Sequence, residues 1–198
     1  MKKIVLASAS PRRKELLEKI GLKFAVEPSD SEENTDAGLE PHELVRQISI
    51  NKAKTVAARH KNAIVIAADT IGVIGNKILG KPHTPNEAVK MLSEISGQPH
   101  LVITGLTVLD TATNKSISRT VDTTVYIKKL TGREIDAYVS TGEPLDKAGA
   151  YAIQGMGAVI VERIDGDFYN VMGLPLQALT EILKEFEIDV WESTSSSK

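Results

Sequence analysis

Residues 4–13 read Ile-Val-Leu-Ala-Ser-Ala-Ser-Pro-Arg-Arg. Ile4 to Ala7 is an unbroken apolar run, the pattern of a strand covered on both faces rather than of one that alternates between core and solvent. Ser8-Ala9-Ser10 breaks it. Pro11 suits the first turn of a helix, where its missing N–H is no loss and its fixed φ is already helical. Leu16, Leu17 and Ile20 then recur at helical spacing until Gly21 supplies a stop. A buried strand, a tight loop and a helix in succession are the opening of an α/β sheet.

The rest of the chain continues the alternation. Phe24 to Val26 is a short apolar stretch, Ser29 to Asp36 is acidic and aperiodic and reads as a loop, and Pro41 to His60 reads as a helix. Ala63 to Ala68 is a second buried strand, expected to end in Asp69-Thr70. Gly72 to Ile78 resembles a hairpin around Gly75-Asn76 and leads into Gly80-Lys81-Pro82. Asn86 to Ser96 is helical in pattern and stops at Gly97; from Leu101 to Ile127 two β-rich runs flank Thr113-Asn114 as an antiparallel pair. A short helix over Thr131 to Val139 is followed by a second expected hairpin, Ala158 to Ile164 and Asp167 to Val171 about Asp165-Gly166. Leu174 to Phe186 is a closing helix. The hairpins make the expected sheet mixed rather than purely parallel, in one domain over residues 1–190, with a disordered tail over 191–198.

Composition excludes several function classes. The 198 residues, 41% hydrophobic, are enough for one substantial core. With 24 basic and 26 acidic residues the net charge is -2, so no global field would hold nucleic acid or an anionic membrane, and any anion site must be local. There is no cysteine, hence no disulfide, thiolate nucleophile or zinc finger, and a metal would need oxygen ligands or the four scattered histidines; oxygen ligands suit magnesium or manganese. The four histidines fall in loop-like or helix-end contexts and read as surface residues. The apolar stretch at the N-terminus is too short for a signal peptide or a membrane span, so the cytoplasm is the expected location.

Three places could carry chemistry. Ser8 and Ser10 precede Arg12 and Arg13 at a strand-to-helix junction, where free N–H groups and two guanidinium groups suit a phosphate; a solvated helix start capped by Ser10 fits the same letters. Two like charges at a helix N-terminus oppose its dipole, a cost that a bound anion offsets. Asp69 closes a buried strand, where α/β folds gather ligands and a carboxylate can hold a metal or orient water, though strand-end aspartates also cap turns. Gly75 to Lys81 spells the start of a phosphate-binding loop, but Pro82 lacks the hydroxyl and the segment opens no helix; Lys81 can reach a phosphate or sit in an exposed turn. The acidic cluster Asp30, Glu32, Glu33 and the lysines Lys52 and Lys54 are ordinary solvated charges unless one geometry joins them. In it Glu33, Asp69 and magnesium meet a triphosphate ringed by Arg13, Lys52 and Lys81. No Gly-x-Ser-x-Gly elbow and no dinucleotide glycine fingerprint occurs.

Ser8-Ala9-Ser10-Pro11-Arg12-Arg13, Ala68-Asp69-Thr70, Gly80-Lys81-Pro82, Asp146-Lys147-Ala148-Gly149-Ala150-Tyr151 with Ile153-Gln154-Gly155, and Val171-Met172-Gly173-Leu174-Pro175 occur in that order. Together they resemble the Maf family of nucleotide pyrophosphatases. The resemblance implies an elongated mixed β-sheet with flanking helices, in two lobes around a cleft, similar to the inosine triphosphate pyrophosphatase-like fold. It implies hydrolysis of a nucleoside triphosphate to the monophosphate and pyrophosphate with a divalent metal, magnesium or manganese. Arg12, Thr70 and Gln154 match the branch that acts on dTTP, UTP and some modified uridine triphosphates, and would read the base. Asp69 is implied as the catalytic carboxylate and metal ligand, with Glu33 as metal partner although Ser31-Glu32-Glu33 departs from the more usual Asp-Glu ending. Ser8, Ser10, Arg13, Lys52 and Lys81 are implied at the phosphates. No nucleic acid or membrane partner is implied, and a homodimer is a possible assembly. Two alternatives share the resemblance: a pyrophosphatase for damaged or purine triphosphates, and a nucleotide-binding regulator of septum formation.

Overall fold

Ile4, Val5, Leu6 and Ala7 are at most 3% exposed, as an apolar run covered on both faces requires. A computed structural model of the chain, which describes residues 2–30 and 38–195, forms strand β1 (Lys3–Leu6) from them. It pairs in parallel with β2 (Ala25–Val26) on one side and with β3 (Ala63–Ile74) on the other, with Leu6 opposite Val26 and Ile66. Parallel neighbours need crossover connections, and helices α1 (Pro11–Lys19) and α2 (Pro41–Ala57) lie in them. Proline occupies the first turn of each, and α1 stops where Gly21, at φ 72, donates its N–H to Glu18.

The full sheet has seven strands in the order β2-β1-β3-β5-β6-β7, with the short β4 (Lys77–Leu79) also on β3. Strands β5 (Pro99–Asp110) and β6 (Ser116–Ile127) flank the expected turn, where Asn114 takes φ 58 and the Asp110 carboxylate accepts from the Ala112 N–H and the Thr113 hydroxyl. The chain divides into two compact units. The first contains its residues up to Asp69, Thr104–Val121 and the chain from Gly173 on; the second contains Thr70–Ile103 and Asp122–Met172. Strands β3, β5 and β6 contribute residues to both.

In the first unit, Val5, Ala7, Val65 and Ala67 pack with Ala53 and Val56 of α2 and with Leu109. All but Leu109 are alanine or valine, and the helix runs close to the sheet. At Gly105 a Cβ would lie 2.2 Å from the Val45 carbonyl oxygen, so only glycine fits there. Helix α6 (Leu176–Lys184) belongs to this unit and buries Leu176, Leu179, Ile182 and Leu183, an i, i+3, i+4 stripe.

In the second unit, β3 and β4 form the expected hairpin, with Gly75 at φ 55 and Gly72 opposite Leu79. Helices α3 (Pro85–Ile95) and α4 (Gly132–Ser140) bury Leu92, Ile95, Ile135 and Tyr138 against Leu79, Val125 and Ile127. Both begin on a threonine whose side chain accepts a backbone N–H, and in α4 Thr131 and Glu134 cap each other reciprocally.

Three expectations are corrected. The hairpin placed over 158–171 does not form: residues Gly155–Val159 are a 3-10 turn, β7 (Val161–Gly166) pairs antiparallel with β6, and α5 (Phe168–Val171) follows. The cause is Asp167, whose carboxylate accepts from the N–H groups of Tyr169 and Asn170 and so starts a helix. Strand β3 does not end at Asp69 but continues to Ile74 as one arm of the hairpin with β4. A short helix α7 (Val190–Ser195) occupies positions where a tail was expected from residue 191. Among the described residues no helix is long and apolar enough to cross a membrane.

Candidate active site

The serine-rich loop leaves β1 at the edge expected of an α/β ligand site. Ala7 still donates to the Ile66 carbonyl, and then Ser8 turns away from the sheet while remaining buried. Its hydroxyl oxygen accepts from the Ser10 N–H and from Arg13 Nη1, both at 3.2 Å. Ser8 therefore organises the loop; Ser10 precedes the helix without a side-chain capping bond. Arg13 also donates from Nε to the Gly173 carbonyl at 2.7 Å, so its guanidinium is oriented by two acceptors far apart in sequence. Arg12 stands beside it in the first turn of α1, half-buried.

Asp69 lies on β3, three residues past Ile66, the last to pair with β1. It is thus outside the carboxyl end of β1, on the ligand-binding edge of the parallel strands. Lys52, buried on α2, reaches it: Nζ is 2.6 Å from Oδ1, with only 10% and 11% of the two side chains exposed. Oδ2 has no hydrogen-bond partner among the described residues. The contact is nearly buried, so Lys52 fixes the direction of the carboxylate. Lys52 was expected at phosphate; its ammonium lies on Asp69.

The first unit therefore brings Ser8 to Arg13 and Lys52 to Asp69. Thr70, half-buried, is the first residue of the second unit, which also holds Lys81 and Gln154. Lys81 is exposed between Gly80 and the buried Pro82, and Gly80 accepts from the Gly149 N–H at 3.0 Å, tying the lysine's turn to the Asp146–Tyr151 segment. Gly149 at φ 73 and Ala150 at φ 61 give that segment two consecutive left-handed residues. Gln154 is exposed, immediately before the Gly155–Val159 turn.

Glu33 and its neighbour Glu32 lie outside the described residues, and among those described no group of three or more His, Asp or Glu is placed to hold a metal. The donor chemistry still fits a hard cation. Asp69 offers one open carboxylate oxygen, and magnesium is commonly held by one or two carboxylates with substrate phosphates and water supplying the rest.

The surface assignment of the histidines fails at His100. It is 3% exposed, edge-on to Tyr151 with ring centroids 5.2 Å apart, and its Nε2 is 2.8 Å from the Tyr151 hydroxyl. Burial pushes the imidazole pKa down to about 4. It supports the Asp146–Tyr151 segment from beneath. Its position between Pro99 and Leu101 in sequence gave no sign of its burial. The Gly173 carbonyl on Arg13 was equally hidden, because a backbone acceptor leaves no letter in the sequence.

Comparison with known proteins identifies the family. The chain is 51% identical over 193 residues to a dTTP/UTP pyrophosphatase of Methanosarcina barkeri, covering 97% of this chain and 98% of that one. It is 53% identical to a dTTP/UTP pyrophosphatase of Methanococcoides burtonii over 97% and 99% of the two chains. Against a dTTP/UTP pyrophosphatase of Moorella thermoacetica the identity is 47%, with 96% and 98% covered. The solved structure of the Staphylococcus aureus Ham1 protein is similar at a TM-score of 0.50 and 14% identity, over 81% of this chain and 80% of that one, a likeness of fold alone. The sequence pattern of the Maf-like proteins matches residues 3–186, and with that span and those relatives the chain belongs to the Maf family.

Proposed function

We propose that this protein hydrolyses dTTP and UTP, and modified uridine triphosphates of similar shape, to the monophosphate and pyrophosphate. The observation that carries the reading is the Lys52–Asp69 pair: a buried carboxylate with one oxygen held by an ammonium and the other open. Full-length relatives with about half their residues in common bear the name dTTP/UTP pyrophosphatase, which supports the substrate assignment.

In this reading a water oxygen bonds to the α-phosphorus, the bond from that phosphorus to the bridging oxygen breaks, and pyrophosphate leaves with the electron pair. With Lys52 holding Oδ1, Asp69 Oδ2 faces the attacking water and either takes its proton or holds the metal that acidifies it. Arg13, fixed by Ser8 and Gly173, donates to phosphate oxygens, as do Lys81 and the loop of Ser8 and Ser10. Arg12, Thr70 and Gln154 contact the base. A divalent magnesium or manganese ion bound by Asp69 and Glu33 would neutralise phosphate charge and acidify water. A free nucleotide as substrate implies the cytoplasm as the place of action.

The test is pyrophosphate release measured across the common and modified triphosphates, with magnesium, with manganese and in excess EDTA. Highest kcat/KM on dTTP and UTP, abolished by EDTA, is the expected result. Equal rates on purine triphosphates contradict the substrate reading, and full activity in EDTA contradicts the metal.

A further inference from the structure

Gln154 sits in a short loop whose two flanks are held by one pair of side chains. Glu143 opens the 3-10 turn Glu143–Asp146, and its carboxylate points at the backbone after Gln154. Oε2 accepts from the Met156 N–H and Oε1 from the Gly157 N–H, both at 3.0 Å. Oε1 also accepts from the Tyr138 hydroxyl at 2.8 Å, and that hydroxyl in turn accepts from the Ala152 N–H at 3.2 Å. The peptides of residues 152, 156 and 157 are therefore fixed by Tyr138 and Glu143, two side chains that themselves lie outside the loop.

The glycines around Gln154 have the same cause. A Cβ on Gly155, which is at φ +65, would lie 2.5 Å from Glu143 Oε2, and one on Gly157 would lie 2.0 Å from the Ala152 carbonyl and 2.6 Å from the Tyr138 hydroxyl. At these two positions the backbone comes too close to the Glu143 carboxylate, the Ala152 carbonyl and the Tyr138 hydroxyl to leave room for a Cβ. Gln154 itself is exposed and spends none of its amide on this network among the described residues.

We propose that Glu143 is a positioning residue for base selection: with Tyr138 it clamps the backbone on both sides of Gln154 and so presents the Gln154 amide in one orientation. The proposal rests on Gln154 reading the base. Three donors converge on an anionic acceptor, the arrangement that makes charge-assisted bonds strong. Burial raises the Glu143 pKa, but the Tyr138 hydroxyl and the two backbone N–H groups outweigh it and hold the carboxyl below its usual value. An amide in its place turns N–H toward at least one of these donors and breaks the clamp without changing volume.

The experiment compares Glu143→Gln, Gln154→Ala and the double variant by kcat and KM on dTTP, UTP and dGTP. In Glu143→Gln the preference for dTTP over dGTP should fall about tenfold, mainly through KM for dTTP, with kcat within about threefold of the parent. The double variant should be no less selective than Gln154→Ala alone, because the two residues act through one contact. A Glu143→Gln protein that loses the same factor on every triphosphate, or whose effect adds fully to that of Gln154→Ala, overturns the clamp. Unchanged selectivity in Gln154→Ala overturns the base-reading assignment itself, and the clamp with it. Should Glu143→Gln fail to fold, Tyr138→Phe removes only the hydroxyl; it should lower selectivity in the same direction, and full selectivity there counts against the proposal.

Discussion

In the proposed reaction the two oxygens of Asp69 have separate tasks. Oδ1 is committed to Lys52 at 2.6 Å, which leaves Oδ2 for water or a cation. Replacing Asp69 with asparagine removes the proton acceptor while keeping an oxygen for Lys52, so turnover should fall by at least about a thousandfold. The buried ammonium loses its counter-charge, and stability should drop by about 1–3 kcal/mol without loss of fold. Pyrophosphate release and urea unfolding on the same preparation check both parts. His100 makes a different prediction at the same scale. Its folded pKa, about 4, lies below the ordinary value of 6.5, so the folded protein resists a proton that the unfolded chain accepts. The contribution of His100 is therefore whole above about pH 6.5, declines as the pH falls through the interval to about 4, and levels off below it, a loss on the order of 3 kcal/mol. A His100→Asn variant should lose that component of the slope, which urea midpoints at pH 7.5, 6 and 4.5 measure.

Among the elements, local signals were read correctly where one short stretch decides the outcome. Pro11 starts α1, Gly75-Asn76 turns β3 into β4, and the short helix expected from Thr131 forms as α4, each by chemistry contained within a few residues. Asp165-Gly166 misled because the same letters serve a hairpin and a corner between a strand and a helix. The decision falls to Asp167 as a cap and to Asn170, whose buried amide donates to the Val102 carbonyl and the Thr123 hydroxyl. The candidate site divides the same way. Ser8 and Arg13 are five positions apart and legible together, whereas the contact of Lys52 with Asp69 depends on how α2 packs on β3. That packing has its own test. Gly105→Ala places a methyl against the Val45 carbonyl at 2.2 Å, forcing α2 away from the sheet, and should lower stability by about 2 kcal/mol or more. Gly132→Ala, in the first turn of α4 with nothing near the new methyl, should leave stability unchanged or raise it by up to about 1 kcal/mol. Chemical unfolding of the two variants side by side separates close packing from a general sensitivity to glycine replacement.

At the scale of the whole molecule, a net charge of -2 gives no reason for a polyanion to approach, so recognition of a triphosphate falls to a few placed cations. Of the cations proposed at the phosphates, Arg13 belongs to the first compact unit and Lys81 to the second. The family, the fold class and the order of the motifs were legible in the letters alone, because each motif is contiguous. The central claim is that water activated by Asp69 attacks the α-phosphorus and releases pyrophosphate intact. Turnover of dTTP in water enriched in oxygen-18, followed by mass spectrometry of both products, tests it most directly. One labelled oxygen in dTMP and none in pyrophosphate is the predicted result; label in pyrophosphate, or dTDP and inorganic phosphate as the products, would contradict it.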